Sequence, residues 1–388
     1  MKLEHTALLL LSLPAASLAS GSCTNPSEKL PMCSSAPPPS QRLRKEVNDL
    51  SSFEWDAVVE AIWTTKNTTL ADGRERYGDT YKTYDYFVLQ HAVATQDSRG
   101  DQGHFSDAFI TFHAALLLSF EQNLRLVDPD VALPYWAAQA NGDIYTEDLV
   151  GSVPGTGEGN TVVDGAFANW PVTTDMDWES DWAGYIQDVE GATNGYSGGG
   201  TPGSMRGADN FLSASTLTRF GSPWSYSIDL QDKCLAESCW AEWYGDCIEG
   251  EFHSGAHTGI GGDGSGGAEG DFKDVVTSPN DPVFWFHHAN IDRNRMLWTA
   301  GKGEEDKAAF YGYGGALDKD ACQMKGYCPA GGIELTDTIS ALWPFDAAAD
   351  LGVETVGEGG RWAVHADVIC ALAPDTAAYA YQEPQQIS

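Results

Sequence analysis

The stretch DPVFWFHHANIDR, residues 281–293, decides the fold of this chain. Its first two residues are typical of a helix start, because an Asp can cap the first turn and a Pro is tolerated there. The apolar residues that follow recur at helical spacing. Two stripes fit that spacing almost equally well, one containing His288 and the other His287. The stretch therefore predicts a helix that presents a histidine, and periodicity alone leaves open which of the two it is.

Helical periodicity extends over much of the chain on either side of this stretch. Ser51 and Ser52 are candidate caps inside the first helical segment. A Gly/Thr/Asp-rich stretch of about 141–235 and a loop of residues 259–271 interrupt the pattern. The periodic segments run from Arg42 to Ile62, from about 80 to 94, from 107 to 127 and from 241 to 258. We therefore predict a mainly α-helical domain with long loops and a few short strands.

The amino-terminal residues have the pattern of a secretory signal peptide. Lys2 supplies a positive charge, and the apolar run over residues 7–19 is too short to cross a bilayer. Small residues precede a cleavage site before Ser20. We therefore expect a secreted protein with three parts: a signal peptide (1–19), an irregular arm (20–40) and a single folded domain (41–388).

The cysteines fit an extracellular protein. All eight lie after the predicted cleavage site, and an even number of cysteines in an oxidising compartment predicts disulfides, whose pairing the sequence leaves open. Asn67 begins the only N-x-[ST] sequon with a permitted middle residue, so one N-glycan is expected there.

The charge of the chain excludes two classes of partner. It contains 22 Lys+Arg against 56 Asp+Glu, which gives a formal net charge of −34. Nucleic acids and anionic membranes are bound by clustered basic side chains, because both present phosphate groups. We therefore expect neither as a partner. No later apolar run approaches the length of a membrane span.

Seven of the nine histidines form two groups along the chain. His253 and His257 are four residues apart, so on a helix both rings project from one face and can hold one ion. Other members of the groups lie on apolar helix faces, where a buried imidazole needs a hydrogen-bond partner or a metal. The groups comprise His91, His104 and His113, and His253, His257, His287 and His288.

The pattern of these histidines narrows the kind of metal site. Imidazole-only ligation suits copper and zinc. The HEXXH pattern of zinc proteases is absent, because no Glu lies between His253 and His257. No Cys lies close enough to either group to indicate a zinc–thiolate site. Two separate three-histidine sets therefore favour two ions in one site.

The order of these motifs resembles the type-3 dicopper tyrosinase and catechol oxidase family. The resemblance rests on the histidine spacings, on Pro-Tyr-Trp at 134–136 and on the 281–293 stretch, and it covers roughly residues 42–298. It implies a four-helix-bundle core that holds two copper ions, each through three neutral imidazoles. Carried over by position, the ligands would be His91, His104 and His113 for one copper, and His253, His257 and His288 for the other, with His287 beside them.

The resemblance also implies partners and domain limits. Family members use O2 to oxidise small phenols, so phenolic substrates and O2 are the expected partners, and we expect a monomer. The 100 residues after His288 are too few for the separate C-terminal lid domain of long relatives. Tyr379-Ala380-Tyr381 resembles the Tyr-x-Tyr element that ends the family core. Arg42 or Arg44 is available to pair with Asp292.

One departure from the family pattern bears on the choice of substrate. Members that hydroxylate monophenols often have Asn after the first ligand of the second copper, and there it holds a water together with a Glu. This chain has Ser254 at that position, with Glu249 or Glu251 as the candidate Glu. We therefore expect oxidation of o-diphenols, and with them o-aminophenols, and weak hydroxylation of monophenols. The alternatives are a full tyrosinase and a non-catalytic, hemocyanin-like O2 carrier.

Three further positions concern the site and its entrance. Gln102 lies where many fungal and plant members have a Cys that forms a thioether, so no such crosslink is expected. Val275 falls where relatives place a residue over the entrance. Phe284 precedes His288 by one helical turn, so its ring should lie against the imidazoles of the second copper rather than in the core proper.

Overall fold

The computed structural model describes the helical core and the segments around the histidines. The predicted signal peptide (1–19), the predicted arm (20–40) and Gln102 lie outside the described residues. Within these residues, no helix combines the length and the apolar composition that a bilayer span requires. The described residues are 42–95, 103–104, 108–138, 144–153, 160–173, 216–221, 228–237, 242–262, 269–276, 278–301, 368 and 377–382.

The described part of the fold is mainly helical, as predicted. A π-helix, Glu242–Ser254, runs directly into α6, and short 3-10 turns occupy Val47–Asp49 and Ser278–Asn280. The α-helices are α1 (Ser52–Asn67), α2 (Leu70–Tyr77), α3 (Tyr84–Thr95), α4 (Ala108–Val127), α5 (Ile228–Ala236), α6 (Gly255–Gly261) and α7 (Val283–Ala300).

Helix α4 lies at the centre of the packing. It contacts α1 and α7, while α7 also contacts α5 and the π-helix. Phe120 of α4 and Trp285 of α7 are fully buried, and their rings stack with centroids 3.9 Å apart. Burial of such aromatic rings is a large part of what holds helices together. This packing brings the histidine-bearing parts of α3, α4, α6, α7 and the π-helix to one place.

The start of α1 follows from its sequence. The Ser51 side chain accepts a hydrogen bond from the N–H of Glu54, and the Glu54 carboxylate accepts one from the N–H of Ser51. This reciprocal capping box satisfies N–H groups that a helix start otherwise leaves unpaired. The candidate cap at Ser51 is therefore confirmed.

The prediction of helix from Arg42 onward was wrong for its first residues. Arg42–Arg44 forms a strand, β1, that pairs in parallel with β2 (Tyr379–Tyr381), with Leu43 opposite Ala380. The apolar and basic pattern of these residues is also compatible with an edge strand, and the partner that decides between the two lies at the other end of the chain. The short strands thus tie the two ends of the domain together.

Other boundaries also differ from the sequence expectations. Helix α2 was not predicted, and α5 falls inside the stretch expected to be irregular. Helix α6 extends to Gly261, three residues into the predicted loop. At the start of α7 the N-cap position is Pro282, which makes no side-chain cap hydrogen bond, and not Asp281 as expected. Asp281 precedes it, and its Oδ1 accepts a hydrogen bond from the N–H of Val283 at 3.0 Å.

Candidate metal centre

The first histidine triad joins α3, the 103–104 segment and α4. The ligand nitrogens of His91, His104 and His113 all lie within 4.8 Å of one another, and all three residues are buried. The Nε2 atoms of His91 and His113 are 3.3 Å apart. His113 donates from Nδ1 to the carbonyl of Phe109, one turn earlier in α4, at 2.8 Å. This bond fixes the tautomer and leaves the Nε2 lone pair available to a metal.

The second triad is built from the π-helix, α6 and α7. The ligand nitrogens of His253, His257 and His287 lie within 4.8 Å of one another. The Nε2 atoms of His253 and His257 are 3.0 Å apart, as their four-residue spacing predicted. His257 donates from Nδ1 to the carbonyl of Phe272 at 2.6 Å, and its ring stacks on the Phe272 ring at 4.4 Å. These contacts orient the ring with Nε2 toward its neighbour.

His288, the ligand that the resemblance implies, lies between the two triads. Its ring stacks on His113 with centroids 4.1 Å apart and is 4.9 Å from the ring of His253. It is 1% exposed, and neither of its ring nitrogens has a hydrogen-bond partner. His287 hydrogen-bonds to the backbone of His253 and has only Nε2 unpartnered. The ligand nitrogen of His287 thus lies within 4.8 Å of those of His253 and His257, whereas His288 has two unpartnered nitrogens. These two observations favour different residues, so the choice of His288 as ligand stays a prediction.

Burial keeps these imidazoles neutral. Removal from water lowers the pKa of His257 to about 4, although its hydrogen bond to Phe272 opposes that shift. The same cause, with repulsion from neighbouring histidines, holds the pKa of four others well below the ordinary value. Those four are His91, His113, His253 and His288. A neutral imidazole is the form that binds a metal, because protonation occupies the lone pair.

One short segment, residues 272–276, orients rings in both triads. The carbonyl of Phe272 holds His257, and the carbonyl of Val276 accepts a hydrogen bond from Nδ1 of His91 at 3.3 Å. The Asp274 carboxylate accepts the N–H of Val276 at 2.7 Å, which stabilises the turn. Sequence reasoning missed these carbonyls, because any residue supplies one and no side-chain pattern marks it.

Two phenylalanines form apolar walls beside the triads. Phe284 is 1% exposed, and its ring centroid lies 4.2 Å from that of His288 and 5.1 Å from that of His91. Phe284 therefore lies against His288, as expected, and also against His91 of the first triad. It is part of the buried core as well, where we expected it to lie outside the core proper. The Phe109 ring lies 4.6 Å from His253. Such rings keep water away from the imidazoles.

The remaining predicted site residues lie close to the second triad. Ser254 is exposed, and its hydroxyl donates to the backbone carbonyl of Glu249 at 2.9 Å. Glu249 itself is 9% exposed. Val275, 40% exposed, lies within the 272–276 segment. The structure thus places Ser254 directly after a triad histidine and Val275 between the two ring-holding carbonyls, while their roles stay predictions.

The donor set fits copper. Within the described residues, both groups consist of histidines alone, without a Cys or a carboxylate, and imidazole ligation suits copper. Buried ring nitrogens without hydrogen bonds are costly unless another partner, such as a metal, satisfies them. His253 Nδ1 and both nitrogens of His288 are such atoms.

A buried charge network supports α7 behind the second triad. Arg44 of β1 lies 2.9 Å from Glu121 of α4 and 3.5 Å from Asp292 of α7. Asp292 also accepts hydrogen bonds from the hydroxyls of Tyr379 and Tyr381, at 2.6 and 2.8 Å. Of the two arginines that could pair with Asp292, the structure shows Arg44. The Tyr-x-Tyr element thus contacts the ligand-bearing helix directly.

Comparisons with known proteins show which family has a similar sequence. A family model described as the common central domain of tyrosinase matches residues 81–301. A tyrosinase of Streptomyces lincolnensis is 31% identical over 248 residues, which cover 60% of this chain and 80% of the relative. A tyrosinase of Streptomyces antibioticus is 30% identical over 265 residues, 66% of this chain and 81% of the relative.

The fold has a counterpart among solved structures. A variant polyphenol oxidase from Thermothelomyces thermophila superposes with a TM-score of 0.55, at 21% sequence identity, over 88% of each chain. At that identity the structural similarity supports the fold alone. The assignment to a family depends on the sequence match and on the two histidine triads. The chain therefore belongs to the tyrosinase family, whose members are copper oxidoreductases with a dinuclear copper centre.

Proposed function

We propose that the protein is a secreted polyphenol oxidase that uses O2 to oxidise o-diphenols such as catechols to o-quinones. On this proposal it also accepts o-aminophenols and hydroxylates monophenols only weakly. Two o-diphenol molecules each lose two electrons and two protons, and these reduce one O2 to two waters. The substrates are thus small phenols and O2.

The protein's own groups would position the metals and the substrate. His91, His104 and His113 would hold one copper, and His253, His257 and His288 the other. The bound pair would supply O2 binding and electron transfer, which side chains lack. The carbonyls of the 272–276 segment keep ring nitrogens pointed inward, and Phe284 and Phe109 exclude water. The exposed Val275 marks the side from which a phenol would enter.

The observation that carries the preference for o-diphenols is the hydrogen bond of Ser254. A monophenol must lose its proton before it can be hydroxylated, whereas an o-diphenol needs only to surrender electrons and protons. The Ser254 hydroxyl donates to the Glu249 carbonyl at 2.9 Å, and this short side chain has no amide to bind a water beside His253. The position therefore offers less help with deprotonation than an Asn would.

Steady-state rates on a matched monophenol and o-diphenol pair, such as tyrosine and DOPA, test this proposal. We expect the copper-loaded protein to oxidise DOPA much faster than it hydroxylates tyrosine. Ser254→Asn should raise the monophenol-to-diphenol rate ratio about fivefold, the effect of one added hydrogen bond. Ser254→Ala is the matched control and should leave the ratio unchanged. Equal wild-type rates on tyrosine and DOPA would instead identify a full tyrosinase.

Two features support secretion. Cys234 and Cys247 form a disulfide, which is typical of an oxidising compartment. Asn67 is exposed at the end of α1, so its sequon is accessible to glycosylation. Mass spectrometry of protein recovered from culture medium should find an amino terminus at Ser20 and a glycan on Asn67. Retention of the whole chain inside the cell, with Met1 intact, would refute secretion.

A further inference from the structure

The 272–276 segment presents a positive charge beside the histidine triads. Its carbonyls at Phe272 and Val276 hold one ring of each triad, so the segment lies against both. Val275 of this segment is 40% exposed, and Lys273 is partly exposed. The Lys273 ammonium is therefore the cationic group that this segment offers to a molecule approaching the triads from solvent.

Local contacts place this ammonium close to His257. Lys273 donates from Nζ to the hydroxyl of Thr258 at 3.1 Å, and Thr258 directly follows His257 in α6. The charge of Lys273 also lowers the pKa of His257, which requires proximity. The Lys273 backbone is fixed as well, because its N–H donates to the carbonyl of Gly270 at 3.0 Å. A side chain anchored in this way has less freedom to lose when it binds a ligand.

The absence of a Cβ at Gly261 allows this arrangement. A Cβ built there would lie 2.4 Å from Cβ of Lys273, closer than such atoms can approach. Gly261 thus lets the segment pack onto the end of α6 and brings Lys273 beside Thr258. The close backbone packing at Gly261 therefore brings the ammonium near His257.

Lys273 has no carboxylate partner in the described part of the chain. The only hydrogen bond of its ammonium there is to the neutral Thr258 hydroxyl. The two nearby acids are otherwise engaged: Asp274 accepts the N–H of Val276, and Asp271 accepts from the N–H and hydroxyl of Thr218. Burial also raises the pKa of Asp271 to about 7, so this carboxyl is partly neutral near that pH. The Lys273 side chain is therefore not paired with a carboxylate among the described residues and can bind an external anion.

We propose that Lys273 is a specificity-determining residue that binds the carboxylate of an acidic o-diphenol while the ring lies against the triads. The substrate class is thus a catechol with a carboxylate on a short side chain. This inference rests on the proposed function for its substrate. A purely structural role for Lys273 is the competing explanation, because a cation near the end of α6 also compensates the partial negative charge of its carbonyls.

A pair of substrates that differ only in charge separates the two explanations. The substrates are 3-(3,4-dihydroxyphenyl)propanoate and its methyl ester, assayed with the copper-loaded enzyme. We expect Lys273→Met to raise KM for the acid about threefold to fivefold, as for a partly exposed ion pair, with kcat and the ester KM unchanged. Lys273→Arg should restore the acid KM, and added salt should raise it in the wild type and in Lys273→Arg but not in Lys273→Met. Lys233→Met, at an exposed lysine of α5, is the matched control and should change neither substrate.

A binding measurement keeps the inference testable without turnover. 3-Phenylpropanoate has no hydroxyl to oxidise, and its binding against that of its methyl ester can be followed by tryptophan fluorescence. We expect the wild type to bind the acid about threefold to fivefold more tightly than Lys273→Met does, with equal affinity for the ester. Equal losses for acid and ester, together with a lower melting temperature, would show a structural role and overturn the inference. A lack of oxidase activity with acid discrimination retained would refute the proposed function alone.

Discussion

At the scale of single residues, two adjacent histidines on α7 meet different surroundings. The ring of His287 is nearly parallel to that of His253, with centroids 5.4 Å apart, and one of its nitrogens bonds to backbone. The ring of His288 lies between His113 and Phe284, and both of its nitrogens lack hydrogen bonds. A buried imidazole with no other partner has the most to gain from a metal, which favours His288 as ligand.

Single substitutions at these two positions test that assignment by metal content. His288→Ala should keep about one tightly bound copper per chain after dialysis, since loss of a direct ligand weakens binding by more than the roughly 10- to 100-fold cost of losing a partner that only orients a ligand. His287→Ala should retain both coppers. Elemental analysis of both variants, with circular dichroism to confirm folding, provides the measurement. Retention of two coppers by His288→Ala and loss of one by His287→Ala would identify His287 as the ligand.

At the scale of elements, a disulfide attaches the π-helix that carries His253 to α5. Cys234 of α5 and Cys247 of the π-helix are buried, and 13 positions separate them in the chain. The π-helix then continues into α6, which carries His257. Both residues of the i,i+4 histidine pair thus depend on a helix that is covalently tied to the rest of the fold. Two members of the first triad lie on α3 and α4, and neither helix contains a cysteine.

Removal of this disulfide should therefore destabilise the fold and affect the second triad more than the first. Cys234→Ala combined with Cys247→Ala should lower the free energy of unfolding by about 2–4 kcal/mol. Copper affinity at the second triad should fall more than that at the first. Denaturant unfolding and copper titration measure these effects, with reduced wild-type protein as the control. An unchanged unfolding midpoint in the double variant would show that the disulfide contributes little.

At the scale of the whole molecule, buried charges join elements from both ends of the domain. Arg44 of β1 connects to Glu121 of α4 and Asp292 of α7, and Asp292 also pairs with Arg295 at 2.7 Å. Burial would raise the pKa of Glu121, but the Arg44 guanidinium and its hydrogen bonds lower it to about 2. The folded state thus holds this carboxylate ionised far below its ordinary titration range.

Glu121→Gln should destabilise the protein by about 3 kcal/mol or more, because it leaves a buried guanidinium without its counter-charge. In the wild type, the contribution of Glu121 is fully present above about pH 4.5 and is lost as pH falls through about 2. The variant should lack this part of the acid dependence. Denaturant unfolding between pH 3 and pH 7 measures both effects. Glu60→Gln, at an exposed position of α1, is the control and should change stability little.

Local pattern was sufficient to predict α1, α3, α4 and α7 and the meeting of His253 with His257. Helices form from contacts three and four residues apart, so the chain carries that information in short windows. His91 and His113 lie on predicted buried helix faces, and the family pattern grouped them with His104. The family pattern added the expectation of copper.

Tertiary structure alone decided the features that depend on distant partners. Arg42–Arg44 became a strand because its hydrogen-bond partners are Tyr379–Tyr381, and Arg44 and Tyr381 are 337 positions apart. The carbonyls of Phe272 and Val276 became part of the site because chain packing, not residue type, brings a carbonyl to a ring. The different surroundings of His287 and His288 likewise arise from what packs against α7. Local periodicity indicates which face of a helix is buried. Only the assembled core determines which residues that face contacts.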